Sequence, residues 1–332
     1  MTAKQCMARY MVLRRRLDRQ LARVPERGGP RELTSACEYV LRGGGKRIRA
    51  ILTILSCEAV GGRPQDALHA GAAIEIMHNF TLVHDDIMDH APSRRGRPTV
   101  HIRWDVNNAL LAGDVLLGLS YRQLLRTASP ALPHLVSLFT TGVIEVCKGQ
   151  ALDLEFEGRT NVSVREYFRM IDEKTGRLIS LATELGGLIG GGQPAEIASL
   201  RRFGHYLGRA FQLQDDLLDV LADEKAFGKA IGGDIMEGKR TFLILTAAAR
   251  AEGADRALVL RVLKKRGRMM GPRRVVVPLI SEIYRRYGVI ADAERLVRRN
   301  TALAKKSLAA LPDSPAVATL LWLADALLHR SA

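Results

Sequence analysis

Two acidic clusters of identical spacing stand out, Asp85-Asp86-Ile87-Met88-Asp89 and Asp215-Asp216-Leu217-Leu218-Asp219. Both lie in sequence with helical periodicity, so Asp85 and Asp89 share one face, as do Asp215 and Asp219. Like charges at this spacing destabilise an isolated helix by a few tenths of a kcal/mol per pair. A bound cation offsets that repulsion, and hard carboxylate oxygens suit Mg²⁺. Two such faces, set across a cavity, could clamp a metal-bound diphosphate from both sides. A plain solvated helix surface explains one such cluster; it does not explain two, each followed by cations.

The cations have their own pattern. Gly43-Gly44-Gly45-Lys46-Arg47-Ile48-Arg49 is a glycine-rich turn followed by three cations entering a helix. Glycines let backbone approach an anion, and a helix N-terminus favours negative charge. Arg94-Arg95-Gly96 follows the first acidic cluster; adjacent guanidiniums repel each other but suit two separate phosphate groups. Lys174-Thr175-Gly176 falls in mid-helix, where glycine implies a close backbone approach. A segment rich in Gly and Lys, carrying Lys229 and Lys239, follows the second acidic cluster as Arg94-Arg95 follows the first. Gln212 stands three residues before Asp215, and His78 stands two turns before Asp85. A lone histidine of this kind is equally readable as a satisfied core residue, and His84 is given no role.

The elements that must position these residues are helices almost throughout. Apolar residues recur at helical spacing over 67–90, 105–126 and 131–157, and β-like alternation is nearly absent. A capping box, Ser163 to Glu166, opens a helix running towards Gly186-Gly187. Pro194 opens a long helix to about Asp223 that carries the second acidic cluster. Residues 224–239 lose periodicity and read as a functional loop. Pro315 starts a final apolar helix through Leu328. Val275-Val276-Val277 is locally β-like, but its neighbours argue helix. The expectation is an all-α bundle of ten or more helices in a single domain spanning 1–332.

The formal charge of +15 invites a nucleic-acid reading. The basic residues are scattered along helical faces, however, and no helix-turn-helix, zinc finger or aromatic RNA motif is present. Cys6, Cys37, Cys57 and Cys147 show no metal spacing and read as reduced thiols of a cytoplasmic protein. No apolar run reads as a membrane span of roughly 20 residues, so an integral membrane protein is not expected. Residues 1–17 are basic without an acidic residue, which resembles a transit peptide less than a basic surface helix.

Taken together, Leu82 through Asp89 with Arg94 to Thr99, and Phe211 through Asp219, resemble the two aspartate-rich motifs of the trans-isoprenyl diphosphate synthases, the head-to-tail polyprenyl synthetase family. Gly44-Gly45-Lys46-Arg47-Ile48-Arg49 resembles that family's early motif, with Ala50 where proline is usual. The resemblance implies an all-α fold with both motifs facing a central cavity, and usually a homodimer. It implies that Asp85 and Asp89 bind two Mg²⁺ ions and Asp215 a third, supported by Asp86, Asp216 and Asp219. Arg94, Lys174, Lys229 and Lys239 would hold the allylic diphosphate; Lys46, Arg49, His78 and Arg95 would hold isopentenyl diphosphate. Thr175 and Gln212 would line the reacting allylic end.

The resemblance also implies that bulk just upstream of the first motif limits the product. Phe80 lies five residues before Asp85, roughly 7.5 Å lower on an ideal helix but rotated by about 140° from it, whereas Thr81 lies near the Asp85 face. Geometry alone therefore leaves Phe80 readable as ordinary core, and its role as a floor belongs to the resemblance. An aromatic here, without an insertion inside the motif, resembles enzymes making geranylgeranyl diphosphate. The fifteen-carbon farnesyl diphosphate is the rival product. A class I terpene cyclase would lack the isopentenyl site suggested by Lys46, Arg49 and Arg95. A non-catalytic synthase subunit usually lacks one acidic motif.

Overall fold

The computed structural model describes residues 1–25, 29–221, 231–265 and 267–328. In chain order the helices are α1 (Ala3–Leu21), α2 (Arg31–Leu41), α3 (Ile48–Ala59), α4 (Leu68–Met88), α5 (Val100–Arg103), α6 (Val106–Leu124), α7 (Leu132–Glu157) and α8 (Val164–Ile171). They continue as α9 (Arg177–Ile189), α10 (Pro194–Leu221), α11 (Gly233–Glu237), α12 (Phe242–Arg250), α13 (Gly253–Lys265), α14 (Arg273–Arg286), α15 (Val289–Ser307) and α16 (Pro315–Leu328). Between α4 and α5, β1 (Ser93–Arg94) pairs antiparallel with β2 (Arg97–Pro98), the one sheet among the described residues. The all-α expectation holds, and Val275 to Val277 are helical. Chain contacts group into two compact units.

The first unit comprises Met1–Val143, Leu178–Gly204 and Ser307–Leu323. Its central helix is α4, whose first half, Ala70 to Met77, is buried on every side. Small residues make this possible: a Cβ on Gly71 would lie 3.0 Å from the Ala50 carbonyl oxygen of α3. Further along, the His84 ring sits over Gly113 of α6, where any Cβ would collide with it. The same ring meets Phe80 edge-on, with centroids 5.0 Å apart. Phe80 joins Ala72, Ile76, Ala112 and Leu116 in the apolar core.

Arg47 fastens the turn that enters α3. It sits in the left-handed region at φ 54° and is buried. Its guanidinium donates to Asp18 Oδ1 at 3.0 Å, Glu75 Oε1 at 3.1 Å and the Leu41 carbonyl at 2.8 Å. Of the three cations in the glycine-rich motif, this one is therefore an internal tie among α1, α2 and α4.

The second unit comprises Ile144–Arg177, His205–Lys306 and Ala324–Ala332. Ser163 and Glu166 form the expected capping box. The helix they open does not run uninterrupted: a π-helical turn, Asp172–Gly176, separates α8 from α9. Two glycines on neighbouring helices account for it. A Cβ on Gly149 of α7 would collide with the Lys174 backbone, and one on Gly208 of α10 would lie 2.6 Å from Gly176 Cα. Arg209 holds the start of the turn through Asp172 at 2.6 and 2.5 Å. The core of this unit gathers Phe156, Tyr167, Phe242 and Tyr284. Within the segment read as a loop, Gly233–Glu237 form a helical turn, whereas Lys229 lies outside the described residues.

α7 is long and apolar enough to cross a membrane by length and composition alone. Its glycines nonetheless serve helix packing: Gly142 meets Leu181 in the first unit and Gly149 meets Lys174 in the second. Cys6, Cys37 and Cys57 are buried thiols and Cys147 is exposed, all unbridged.

Replacing Arg47 by Ala strands Glu75 in the core and should cost about 3–5 kcal/mol in urea unfolding, while Arg47→Met with Glu75→Leu should cost far less, because no charge is left unpaired.

Candidate active site

In the first unit the acidic motif occupies the C-terminal end of α4. Asp85 is half-buried in the last turn, and Asp89 is exposed at the cap, its N–H donating to the Asp85 carbonyl at 2.8 Å. That end carries the negative pole of the helix, and no basic residue occupies its last turn. Asp86 points elsewhere. It is buried and accepts from Arg94 Nε at 2.7 Å; burial raises its pKa, and Arg94 opposes the rise.

The hairpin after α4 turns through Arg95 and Gly96, both at positive φ (54° and 72°). Such a two-residue turn suits the twist of a hairpin, and glycine adopts it freely. Arg95 does so at a cost of about 1 kcal/mol. The turn sends neighbouring guanidiniums to different partners: Arg94 to Asp86, and Arg95 to the Gly44 carbonyl oxygen. Gly45 must stay bare, since it sits at φ 130° and a Cβ there would lie 2.9 Å from Arg95 Nη1.

Arg49 Nη1 lies 3.2 Å from His78 Nε2. Burial holds His78 well below its usual pKa, reinforced by Arg49, Arg95 and Arg94. His78 is thus neutral, accepting at Nε2 and protonated at Nδ1. Lys46 is exposed, with its carbonyl taking the Tyr10 hydroxyl. The half-buried Thr81 donates to the His78 carbonyl at 2.9 Å. A cavity of about 60 Å³ lies against Asn79, Asp86, Arg94 and Arg95. Tyr39, which no spaced motif singles out, anchors the hairpin by donating to the Pro98 carbonyl at 2.8 Å beneath the Arg97 guanidinium.

In the second unit, five of the expected residues line one cavity of about 100 Å³: Lys174, Thr175, Gln212, Asp216 and Lys239. Lys174 Nζ donates to Asp153 Oδ2 at 2.5 Å. Thr175 Oγ1 donates to Gln212 Oε1 at 2.8 Å, and Gln212 Nε2 to Asp216 Oδ1 at 2.9 Å. Tyr167 completes the row, its hydroxyl donating to Asp216 Oδ2 at 2.7 Å. Burial lifts Asp216 to about 6 despite those donors. Asp153 and Tyr167 escaped the sequence reading because neither belongs to a spaced motif.

Asp219 is fastened differently. Its oxygens accept the Gly233 and Asp234 backbone N–H groups at 3.1 and 3.0 Å, at the start of α11. Burial raises Asp219, and burial together with Asp219 raises Asp234 further. Lys239 Nζ stands 3.4 Å from Glu237 and 4.0 Å from Asp234. Asp215 is half-buried on the same helix.

Among the described residues, no three His, Cys, Asp or Glu side chains converge as a ready-made metal site. That suits Mg²⁺, which commonly takes one or two carboxylates and completes its shell with water and phosphate oxygens. Asp85 and Asp89, paired at the negative end of α4, are the donor set that fits.

A family model described as polyprenyl synthetase matches residues 30–274. A short chain isoprenyl diphosphate synthase of Methanothermobacter thermautotrophicus is 41% identical over 302 residues, 91% of each chain. A geranylgeranyl diphosphate synthase of Methanosarcina mazei is 34% identical, over 91% of this chain and 90% of that one. The crystal structure of a geranylgeranyl pyrophosphate synthetase from Pyrococcus horikoshii superposes with a TM-score of 0.92 at 35% identity, covering 99% of both chains.

Proposed function

The chain belongs to the polyprenyl synthetase family, and from that premise we propose that it condenses isopentenyl diphosphate with allylic diphosphates until it reaches the twenty-carbon geranylgeranyl diphosphate. It is a prenyltransferase, and its family elongates prenyl chains and is generally Mg²⁺-dependent. The observation that carries the two-substrate reading is the divergence of Arg94 and Arg95. One guanidinium serves the acidic end of α4; the other lies on the glycine turn near Arg49 and His78.

The roles assigned are those the family resemblance implies. Arg94, Lys174, Lys239 and, outside the described residues, Lys229 hold the allylic diphosphate. Lys46, Arg49, His78 and Arg95 hold isopentenyl diphosphate, with neutral His78 leaving the positive charge on the guanidiniums. Asp85 and Asp89 take two Mg²⁺ ions and Asp215 a third, with Asp86, Asp216 and Asp219 holding their neighbours in place. Bound Mg²⁺ supplies neutralisation of the charge that collects on the departing diphosphate. Thr175 and Gln212 face the allylic carbon as its C–O bond ionises, and fixed dipoles there stabilise the cation. Holding both substrates together contributes up to about 7–11 kcal/mol in favourable cases. The double bond of isopentenyl diphosphate attacks the cation, and transfer of a proton to the departed diphosphate restores an allylic diphosphate.

Phe80 sets the floor of the chain pocket, beside Thr81. Its burial, edge-on to the His84 ring, supports this. The whole chain, 1–332, acts as one synthase domain. It works in the cytoplasm as a homodimer, and the exposed apolar residues Val106, Leu110, Leu111 and Val115 on α6 support the self-association.

The test is incorporation of radiolabelled isopentenyl diphosphate with Mg²⁺ and dimethylallyl, geranyl or farnesyl diphosphate, with products resolved by length. Termination at twenty carbons from every starter is expected; termination at fifteen with farnesyl diphosphate refused would favour the farnesyl reading. Phe80→Ala should lengthen the products without abolishing turnover, and an unchanged spectrum would remove the floor. Asp85→Ala should lower turnover by orders of magnitude and flatten its Mg²⁺ dependence; near-normal rates would refute the metal assignment.

A further inference from the structure

The hydrogen-bonded row in the second unit reaches past the residues already given roles to Tyr167. Its ring is buried at 1% exposure and packs edge-on to Phe168, with centroids 5.4 Å apart, and against Phe242 at 6.5 Å. With the ring fixed, its hydroxyl is held 2.7 Å from Asp216 Oδ2. Asp216 is itself 3% exposed, so Tyr167 and Gln212 are the side chains that satisfy its two oxygens.

The direction of every bond in this row is dictated from the Asp216 end. A carboxylate only accepts, so Gln212 must turn its NH₂ towards Asp216. That leaves the Gln212 carbonyl oxygen for Thr175, whose single hydroxyl proton is then committed at 2.8 Å. The remaining lone pairs of Thr175 Oγ1 are left for the cavity that Thr175, Gln212, Asp216 and Tyr167 share. An oxygen presenting lone pairs stabilises a developing allylic cation, whereas a hydroxyl proton aimed the same way opposes it.

We propose that Tyr167 is a positioning residue for the condensation: by anchoring the Asp216 carboxylate it holds Gln212 in place, and through Gln212 the direction of the Thr175 hydroxyl at the reacting end of the allylic substrate. This rests on the reading of the site as a prenyl-condensing centre. Without the Tyr167 hydroxyl, the buried Asp216 carboxylate keeps Gln212 and the Phe242 backbone N–H as donors but loses the one fixed by a packed ring. With one oxygen released the carboxylate can turn, the Gln212 amide that donates to it loses its fixed position, and the Thr175 hydroxyl loses the acceptor that sets its direction.

The experiment is a set of double-mutant cycles on the full chain. Tyr167→Phe keeps the ring packing, and its melting curve checks the fold. It should lower kcat about ten-fold or more while leaving the KM for isopentenyl diphosphate unchanged. On a Thr175→Ala background the same substitution should be nearly silent; on Thr175→Ser, which restores the hydroxyl, the loss should return. Gln212→Leu breaks the row at a second point, and Tyr167→Phe should be silent there too. Independent, multiplying losses in these double variants, or no loss in Tyr167→Phe alone, would overturn the positioning role. No condensation by the wild-type chain with any starter would overturn the reading of the site itself, a result distinguishable from an active wild type whose substitutions act independently.

Discussion

Carboxylates crowded onto one helix face repel each other, and the way each is compensated organises both candidate sites. At the end of α4, Asp86 is withdrawn into the core and tied to Arg94, leaving Asp85 and Asp89 at the negative pole of the helix. On α10, Asp216 is answered by Tyr167 and Gln212, and Asp219 by two backbone N–H groups of α11. The two motifs share one acidic spacing in sequence but are neutralised by different chemistry: a guanidinium in one, neutral hydroxyl, amide and backbone donors in the other. The first arrangement leaves charge at an exposed helix end. The second builds a buried network whose members fix each other's orientation.

The same necessity governs the cations. A guanidinium turned inward needs acceptors on several elements, and Arg47 finds them on α1, α2 and α4, while Arg49 turns to His78 and Lys46 is exposed. Arg95 is aimed by a left-handed turn residue and by the bare backbone of Gly45. Lys174 and Thr175 are set by a π turn that exists because Gly149 and Gly208 let two other helices approach it closely. In each case the backbone aims the side chain.

What could be read in the sequence was what local chemistry decides. The acidic spacing, the Ser163 to Glu166 cap, the start at Pro194 and the final helix from Pro315 depend on neighbours a few residues away, and they fold as expected. Gly176 was recognisable as an anomaly, and the close approach it implied is present, though its π geometry is set by residues far off in the chain. The inward turn of Arg47 could not be told from the outward setting of Lys46, because the deciding partners, Asp18 and Glu75, belong to other helices. Tyr39, Asp153 and Tyr167 carry no spacing signal, and only tertiary contact brings them to the sites. The hairpin at Arg94 to Arg97 is too short to show alternation.

α4 carries Asp85 and Phe80 on one uninterrupted helix, and that continuity links a geometric period to a chemical one. A turn of α-helix advances about 5.4 Å, close to what one isoprene unit adds to an extended chain. Below the floor proposed at Phe80, Ile76 and Ala72 descend the same rod at four-residue intervals within the same apolar core. With a floor at Phe80, product length on such a scaffold would be graduated, since bulk shifted by a turn would alter the pocket by roughly one addition step. The acidic end, fixed to the same helix, need not move.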